Sequence, residues 1–391
     1  MKQVVISNST EIKPRNQTFQ FLKALLIIMV VDDHCGQKLG LMTSIFPYNS
    51  FYMPMFMFVS GYFFKETNTF WTNTKRATKK VLIPYLLWSF VGWGIAFGLT
   101  FAGLNWCSEI TINKWIELLF LNPLVTINGP MWYAITYFWV FILYSLVNVV
   151  VKGRNSILKE SVIFASMLSI GATILFLCRN GWLGYNYTFL NYRLFIARTL
   201  FYLPFFHFGY MFHRFIERIF DKSPKLLWGV AIACVSINLV ISLVFGSNNM
   251  VFVSSAGMSS FKSDWLPFVT SITGILFWYS IMRALSNTVG RIGLINVIAD
   301  NTFTIMAIHL LMADIPGFIA YAQVLKGKTI QGFDVQAFIG SAWYRYYENA
   351  NLYYAFFCGL FGSLFVAIFL LYVKRFREHL HVGKVFSKSS K

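Results

Sequence analysis

Apolar runs of roughly membrane-spanning length recur along the chain, separated by short polar intervals. They fall at 19–38, 50–64, 82–103, 130–151, 157–177, 199–213, 226–245, 265–285, 297–315 and 352–373. A stretch of about 20 mainly apolar residues can cross a bilayer as a helix, and the second and sixth runs are shorter than that. The pattern predicts an all-α polytopic membrane protein with about ten transmembrane helices.

Two intervals between these runs have patterns of their own. The sequence INKWIELLFLNP, within 105–128, predicts a short amphipathic helix lying at the outer surface. The interval 316–350 is rich in Gly, Tyr and Trp and is predicted to be the longest outer loop.

Composition agrees with a membrane protein. Hydrophobic residues make up 57% of the chain and charged residues 12%, against roughly 25% charged residues in soluble domains. The net charge of +18 does not indicate a nucleic-acid partner, because the basic residues alternate with the apolar runs and mark orientation in the membrane. The five cysteines are scattered without a CxxC spacing, so neither a disulfide framework nor a metal site is indicated.

The distribution of basic residues predicts the topology. If the N-terminus is cytoplasmic, most of the 33 lysines and arginines fall in inner intervals, as the positive-inside rule requires. An even number of helices with both termini cytoplasmic is therefore expected. We divide the chain into a cytoplasmic N-terminal arm, a membrane domain and a basic cytoplasmic tail, at 1–18, 19–373 and 374–391.

The first apolar run carries ionisable residues that a plain membrane anchor does not need. Lys23 and His34 are 11 residues apart, close to three helical turns, so they share one face about 16 Å apart along the axis. An imidazole can take and return a proton near neutral pH, and Asp33 before it could orient the ring or stabilise its charged form. The alternative is that Asp32, Asp33 and His34 only mark the end of the helix at the outer interface.

Six short patterns follow one another over about 300 residues. They are Leu22-Lys23 with ten residues before His34, FMFVSGYFF at 56–64, KKVLIPYLLW at 79–88, GPMWYA at 129–134, ARTLFYLPFFHFGY at 197–210 and NTFTIMAIHLL at 301–311. In this order they resemble the acyltransferase family 3 membrane proteins, and Lys23 is usual in the fucose 4-O-acetylase-like branch. The chain departs from the family pattern at Gln20, where Asp is usual, and at Met306, where Tyr is usual.

The resemblance implies ten spanning helices and transfer of an acyl group, usually acetyl, from cytoplasmic acyl-CoA to an outward-facing hydroxyl. His34 would be the general base, and Lys23 would meet the anionic parts of CoA. Arg76 with either Lys79 or Lys80 matches a basic pair that suits the CoA phosphates. Without the resemblance, ordinary positive-inside bias or anionic lipid explains this basic loop. Acetyl-CoA would be a co-substrate, and no permanently bound cofactor is expected.

Four further residues are candidates for supporting roles, each with a structural alternative. Ser60 either supplies a hydroxyl to the site or belongs, with Gly61, to a close helix contact. Trp132 and Arg198 lie near the predicted outer surface, where an aromatic belt is the ordinary explanation of Trp. His309 either takes part in catalysis or hydrogen-bonds a neighbouring helix, and His207 and His213 favour the second role. A further hypothesis places sugar contacts at Tyr185, Tyr187 and Arg193.

The function predicted is therefore O-acetylation of a cell-surface or secreted polysaccharide, or of its lipid-linked precursor. Acyl-CoA, the glycan acceptor and membrane lipids are the expected partners, and the plasma membrane of a bacterium is the expected location. A flippase or exporter of a lipid-linked sugar is the alternative. The lack of visible internal repeats argues against such a carrier, and a carrier does not need the Lys23–His34 pair or the basic loop.

Overall fold

All the secondary structure of the described residues is helical. The computed structural model describes residues 16–107, 109–151, 156–183, 192–246, 257–258, 261, 263–286, 293–346 and 351–388, with side chains left out at 221, 222, 224 and 377–388. The helices are α1 Gln17–His34, α2 Tyr48–Tyr62, α3 Phe70–Ala77, α4 Ile83–Thr100, α5 Ile112–Phe120, α6 Trp132–Val150, α7 Ile157–Arg179, α8 Tyr192–Met211, α9 Glu217–Lys222, α10 Pro224–Phe245, α11 Leu266–Leu285, α12 Gly293–Asp300, α13 Thr302–Ala313, α14 Ile315–Leu325, α15 Val335–Gly340, α16 Asn351–Phe357 and α17 Ser363–Lys388.

Three helices continue through a wider π-helical turn into the next helix. These turns are Thr78–Leu82 between α3 and α4, Phe212–Ile216 between α8 and α9, and Cys358–Gly362 between α16 and α17. A π-turn lets in one extra residue and so rotates the face that follows it. The first of the three lies in the predicted basic loop, which is therefore helical.

Seven helical segments of the described chain are long and apolar enough to cross a membrane. They are 70–100, 126–150, 157–179, 225–245, 266–285, 302–325 and 351–376. This establishes the all-helical, multi-pass character of the chain, whereas the predicted count of ten and the orientation of the termini stay predictions.

The remaining long helices, α1, α2 and α8, form the centre of the bundle. Most of their residues are buried. α2 packs along α8 and α11, and α1 packs on α2, α11, α12 and α13. A helix that faces protein on most sides need not be apolar all round, and this is why α1 carries a lysine and two aspartates.

The contact between α2 and α8 depends on two glycines. A Cβ added to Gly61 would overlap the Phe206 carbonyl, and one added to Gly209 would overlap the Phe58 carbonyl and the Tyr62 amide. The backbones of the two helices therefore touch, as small residues permit in membrane bundles. This confirms the packing role predicted for Gly61.

Side-chain hydrogen bonds also link the end of α2 to the end of α8 and to the start of α9. Tyr62 donates a hydrogen bond of 2.6 Å to Glu217, and Glu66 accepts hydrogen bonds from Tyr210 and Arg214. Burial alone would raise the pKa of Glu217, but hydrogen bonds from His213 and Tyr62 hold that pKa below its ordinary value. Glu217 is therefore held as a carboxylate across the end of α2.

We expect the substitution Gly209→Ala to lower the unfolding free energy by about 1–3 kcal/mol, because the added methyl meets backbone atoms that cannot rotate away. Thermal melting of the purified protein in detergent measures this loss. The matched control is Gly94→Ala, where a Cβ within α4 would meet nothing within 4 Å. Equal melting temperatures for the two variants would contradict a backbone contact at Gly209.

Two local predictions are tested by these elements. The amphipathic helix is confirmed as α5, Ile112–Phe120, whose N-cap hydroxyl on Thr111 accepts from the Lys114 amide. The interval 316–350, predicted to be the longest outer loop, is not irregular throughout: α14 extends into it as far as Leu325, and α15 lies within it. Asp334 caps α15 by accepting a hydrogen bond of 2.9 Å from the Ala337 amide, a local signal at the start of a short helix.

Candidate active site

One face of α1 lines two adjoining cavities. The first, of about 190 Å³, is mainly apolar and is bounded by Lys23, Ile27 and Val30 of α1, with side chains of α2, α6 and α13 opposite. The second, of about 270 Å³, contains Lys23 together with the basic residues Lys65, Arg76 and Lys80. Lys23 and Ser60 line both cavities. The first helix thus presents a lysine where a basic cavity meets an apolar one.

Two of the three candidate CoA-binding residues in the basic loop line a cavity. Arg76 at the end of α3 and Lys80 in the π-helical turn line the second cavity, whereas Lys79 is exposed and lines neither. Of the two alternative pairings left open by the sequence, the structure therefore brings together Arg76 and Lys80. With Lys23 and Lys65, four basic side chains therefore line this one cavity, a charge pattern that suits a polyanion such as a chain of phosphates.

His34 is the last residue of α1, on the face that carries Lys23, Ile27 and Val30. It lies beside His309 of α13, with His309 Nε2 3.1 Å from His34 Nδ1. His34 Nδ1 is also 2.8 Å from the Val30 carbonyl, and His309 Nδ1 is 3.0 Å from the Ile305 carbonyl. The structure thus brings together two histidines that are 275 positions apart.

These contacts fix the proton on each ring. A carbonyl oxygen only accepts, so Nδ1 of His34 and Nδ1 of His309 both carry hydrogen. His309 Nε2 is then an acceptor, and the Nδ1–H group of His34 is shared between it and Val30. His34 Nε2 keeps its lone pair and has no hydrogen-bond partner within the described part of the chain. This is the state required of a general base.

The apolar cavity ends immediately below the histidine pair. Val30 and Met306 both line it, and their carbonyl oxygens accept hydrogen bonds from His34 and His309 respectively. Tyr133 and Tyr137 close the opposite side. A long substrate entering by the basic cavity would therefore pass Lys23 and reach the base with its apolar end.

The two aspartates before His34 accept hydrogen bonds from the segment that follows α1 and from α2. Asp32 is fully buried and accepts from the amides of Leu39 and Gly40 and from the Tyr48 hydroxyl. Asp33 accepts from Gln37 at 2.7 Å and from Tyr52 at 3.1 Å. No hydrogen bond joins either carboxylate to His34 among the described contacts. Asp33 acts on the imidazole through its charge rather than by orienting the ring.

The structure adds three residues that the sequence did not single out. Trp343 lies against His34, with ring centroids 5.5 Å apart. Two positions further, Arg345 forms a buried ion pair with Asp314 at the end of α13. Arg345 is near enough to interact electrostatically with both His34 and His309. No local pattern marks these residues: Trp343 and Arg345 come to the site through the packing of a segment predicted to be a loop, and Asp314 is marked out only by its partner Arg345.

The remaining candidates occupy structural positions around the site. Ser60 donates to the Phe56 carbonyl and its side chain borders both cavities. Gln20, at the position of the family's usual Asp, donates to Asp300 over 3.1 Å. The guanidinium of Arg198 stacks on Trp132 at 4.8 Å and donates to the Leu121 carbonyl, so this pair holds the chain before α6 and makes no described contact with His34.

His207 and Arg193 make no described contact with His34. His207 is buried between Tyr144 and the Glu160 carbonyl, in the structural role predicted for it. Arg193 donates to the Trp182 carbonyl and lies over that ring. Tyr185 and Tyr187 lie outside the described residues. The described residues contain no group of His, Cys, Asp and Glu suited to holding a metal ion.

Comparison with known proteins gives one match. The family model described as an acyltransferase domain matches residues 16–372. That range contains both cavities and the histidine pair. Neither the curated proteins nor the solved structures contain a match to this chain.

Proposed function

The chain belongs to acyltransferase family 3, and we propose that it transfers an acetyl group from acetyl-CoA to a hydroxyl of a surface or secreted polysaccharide, or of its lipid-linked precursor. The observation that carries this proposal is the face of α1. This face leads from a cavity lined by four basic side chains, through an apolar cavity, to a histidine whose Nε2 can accept a proton. The transport alternative has no support in the comparisons.

Donor binding is assigned to the basic cavity. The phosphates of CoA would meet Arg76 and Lys80, and Lys23 would hold the donor where the two cavities join. The pantetheine arm and the acyl group would then lie along the apolar cavity, toward Val30 and Met306. If donor and acceptor are both held within reach of His34, the reaction does not depend on the chance meeting of thioester, hydroxyl and base. It becomes a step within one complex.

Transfer itself needs one proton acceptor. His34 Nε2 removes the proton of the acceptor hydroxyl as its oxygen attacks the thioester carbonyl carbon. The carbon–sulfur bond breaks when the tetrahedral intermediate collapses, and the imidazolium returns the proton to the sulfur. The products are the ester and free CoA thiol. The Nδ1 proton stays hydrogen-bonded to the Val30 carbonyl throughout, so Nε2 is the nitrogen that takes up and releases the proton.

The membrane arrangement completes the proposal. Helices α1, α2 and α8 would join the seven apolar spans to make ten, with both termini cytoplasmic. The basic cavity then faces the cytoplasm, where acyl-CoA is found, and His34 lies toward the outer surface. The arm 1–18, the membrane domain 19–373 and the tail 374–391 follow from this topology, as does the plasma membrane of a bacterium as location.

The donor assignment is tested by removing one cation at a time. We expect Lys80→Met to raise KM for acetyl-CoA about tenfold, because a hydrogen bond to a charged group contributes about 1.5–3 kcal/mol. Release of CoA thiol by the purified protein in lipid nanodiscs measures it. The adjacent Lys79→Met is the matched control, since Lys79 lines neither cavity.

A second substrate sharpens this test. Acetyl-pantetheine has the thioester and the pantetheine arm but none of the nucleotide phosphates, so its KM should be the same in Lys80→Met and in the wild type. An equal rise for both thioesters would contradict phosphate binding at Lys80. No release of CoA from acetyl-CoA by the wild type, with any acceptor, would contradict the proposed function as a whole.

A further inference from the structure

Trp343 combines close contact with the base and a large exposed surface. Its indole centroid lies 5.5 Å from that of His34 with the planes at 39°, and 45% of the residue is exposed. Its six-membered ring packs on the backbone of Gly129, where a Cβ would overlap it. One edge of the indole is therefore held against protein, while the ring lies beside His34 and much of the residue remains exposed.

The segment that carries Trp343 is firmly held. Its amide donates to the Ser341 hydroxyl at 3.1 Å. Arg345, two residues later, is 3% exposed and is tied to Asp314 and to the Ala342 and Tyr344 carbonyls. The indole is thus exposed although its backbone is anchored to the end of α13, the helix that supplies His309. A rigid aromatic surface at this place does not have to be ordered when a ligand binds.

We propose that Trp343 is the platform on which a sugar ring of the acceptor stacks beside His34. The inference rests on the proposed function and specifies the acceptor as a pyranose with an apolar face of C–H groups. An indole offers a flat apolar face to cover those C–H groups, and aromatic surfaces bury large areas at low entropic cost. With the ring stacked there, a hydroxyl at its edge is brought to His34 Nε2.

The experiment compares acceptors that have a ring with one that does not. The probes are the methyl glycosides of glucose, galactose, mannose and fucose, and 1-butanol, each with acetyl-CoA and the full-length protein in nanodiscs. We expect Trp343→Ala to lower kcat/KM for the best methyl glycoside about 3- to 10-fold, with 1-butanol unchanged. Trp343→Phe should recover part of the loss, since a smaller aromatic face remains.

Trp265→Ala is the matched control, because Trp265 is 55% exposed and its ring packs on Phe245 rather than on His34. It should keep wild-type rates with every acceptor. Equal losses with methyl glycosides and 1-butanol in Trp343→Ala would overturn the inference, since they would show that Trp343 only supports His34. Unchanged rates with all acceptors would overturn it too, and would make Trp343 an ordinary interface tryptophan. Either result leaves the proposed function standing, which fails only if the wild type transfers acetyl to none of the acceptors.

Discussion

Replacing His34 with alanine is expected to lower kcat for acyl transfer by about 10²–10⁴-fold, the usual contribution of a positioned general base. The protein should still insert and accumulate, because His34 makes its hydrogen bonds at the end of α1 and is not part of the buried core. Acceptor-dependent release of CoA thiol measures the loss. Added imidazole should restore part of the activity by entering the space that the side chain leaves.

Two other histidines complete this test. His213→Ala is the control. His213 is exposed, and its hydrogen-bond partner is Glu217 rather than either member of the His34–His309 pair. His309→Ala should reduce kcat less than His34→Ala does, because it removes a neighbour that accepts from His34 Nδ1 but leaves Nε2 and the Val30 bond. Full activity in His34→Ala would refute the mechanism.

The second large effect is expected on stability. Arg345→Met should lower the unfolding free energy by about 3–5 kcal/mol, because it leaves Asp314 buried without its cation. The two side chains are 3% and 2% exposed, so water does not compensate for the loss. The measurement is the fraction of folded protein as a function of denaturing detergent.

A double substitution separates charge from packing. Arg345→Met combined with Asp314→Leu should be more stable than Arg345→Met alone, because the uncompensated carboxylate is removed. Arg179→Met is the surface control: its ion pair with Asp264 is about one third exposed on both sides and should contribute no more than about 1 kcal/mol. Equal losses for Arg345→Met and Arg179→Met would contradict a buried ion pair near the site.

The periodicity of the sequence was sufficient to place Lys23 and His34 on one side of the first helix. Lys23 and His34 lie on one helical face because 11 residues make three turns, and this depends only on local geometry. The ordered motifs extended the prediction to Arg76 and Lys80. The choice of Lys80 over Lys79 needed the π-helical turn, which rotates the face and which no residue type marks.

Local rules could not predict which residues surround His34. His309, Trp343 and Arg345 reach His34 only because α13 and the segment after α15 pack on α1, from positions about 300 residues away. The interval 316–350 resembles a loop in composition because Gly, Tyr and Trp are common in loops, but one of its aromatic residues, Trp343, lies against His34. The roles of Asp32 and Asp33 also depended on partners, Tyr48 and Tyr52, that follow a turn in the chain.

The glycine contact between α2 and α8 has a consequence for how this enzyme can vary. Val59 and Ser60, immediately before Gly61, form the wall of both cavities. A larger residue at Gly61 or Gly209 would force the two helices apart and move that wall. The distance between the axes of α2 and α8 therefore also sets the width of the two cavities, and the two glycines are expected to limit which substitutions evolution can accept there.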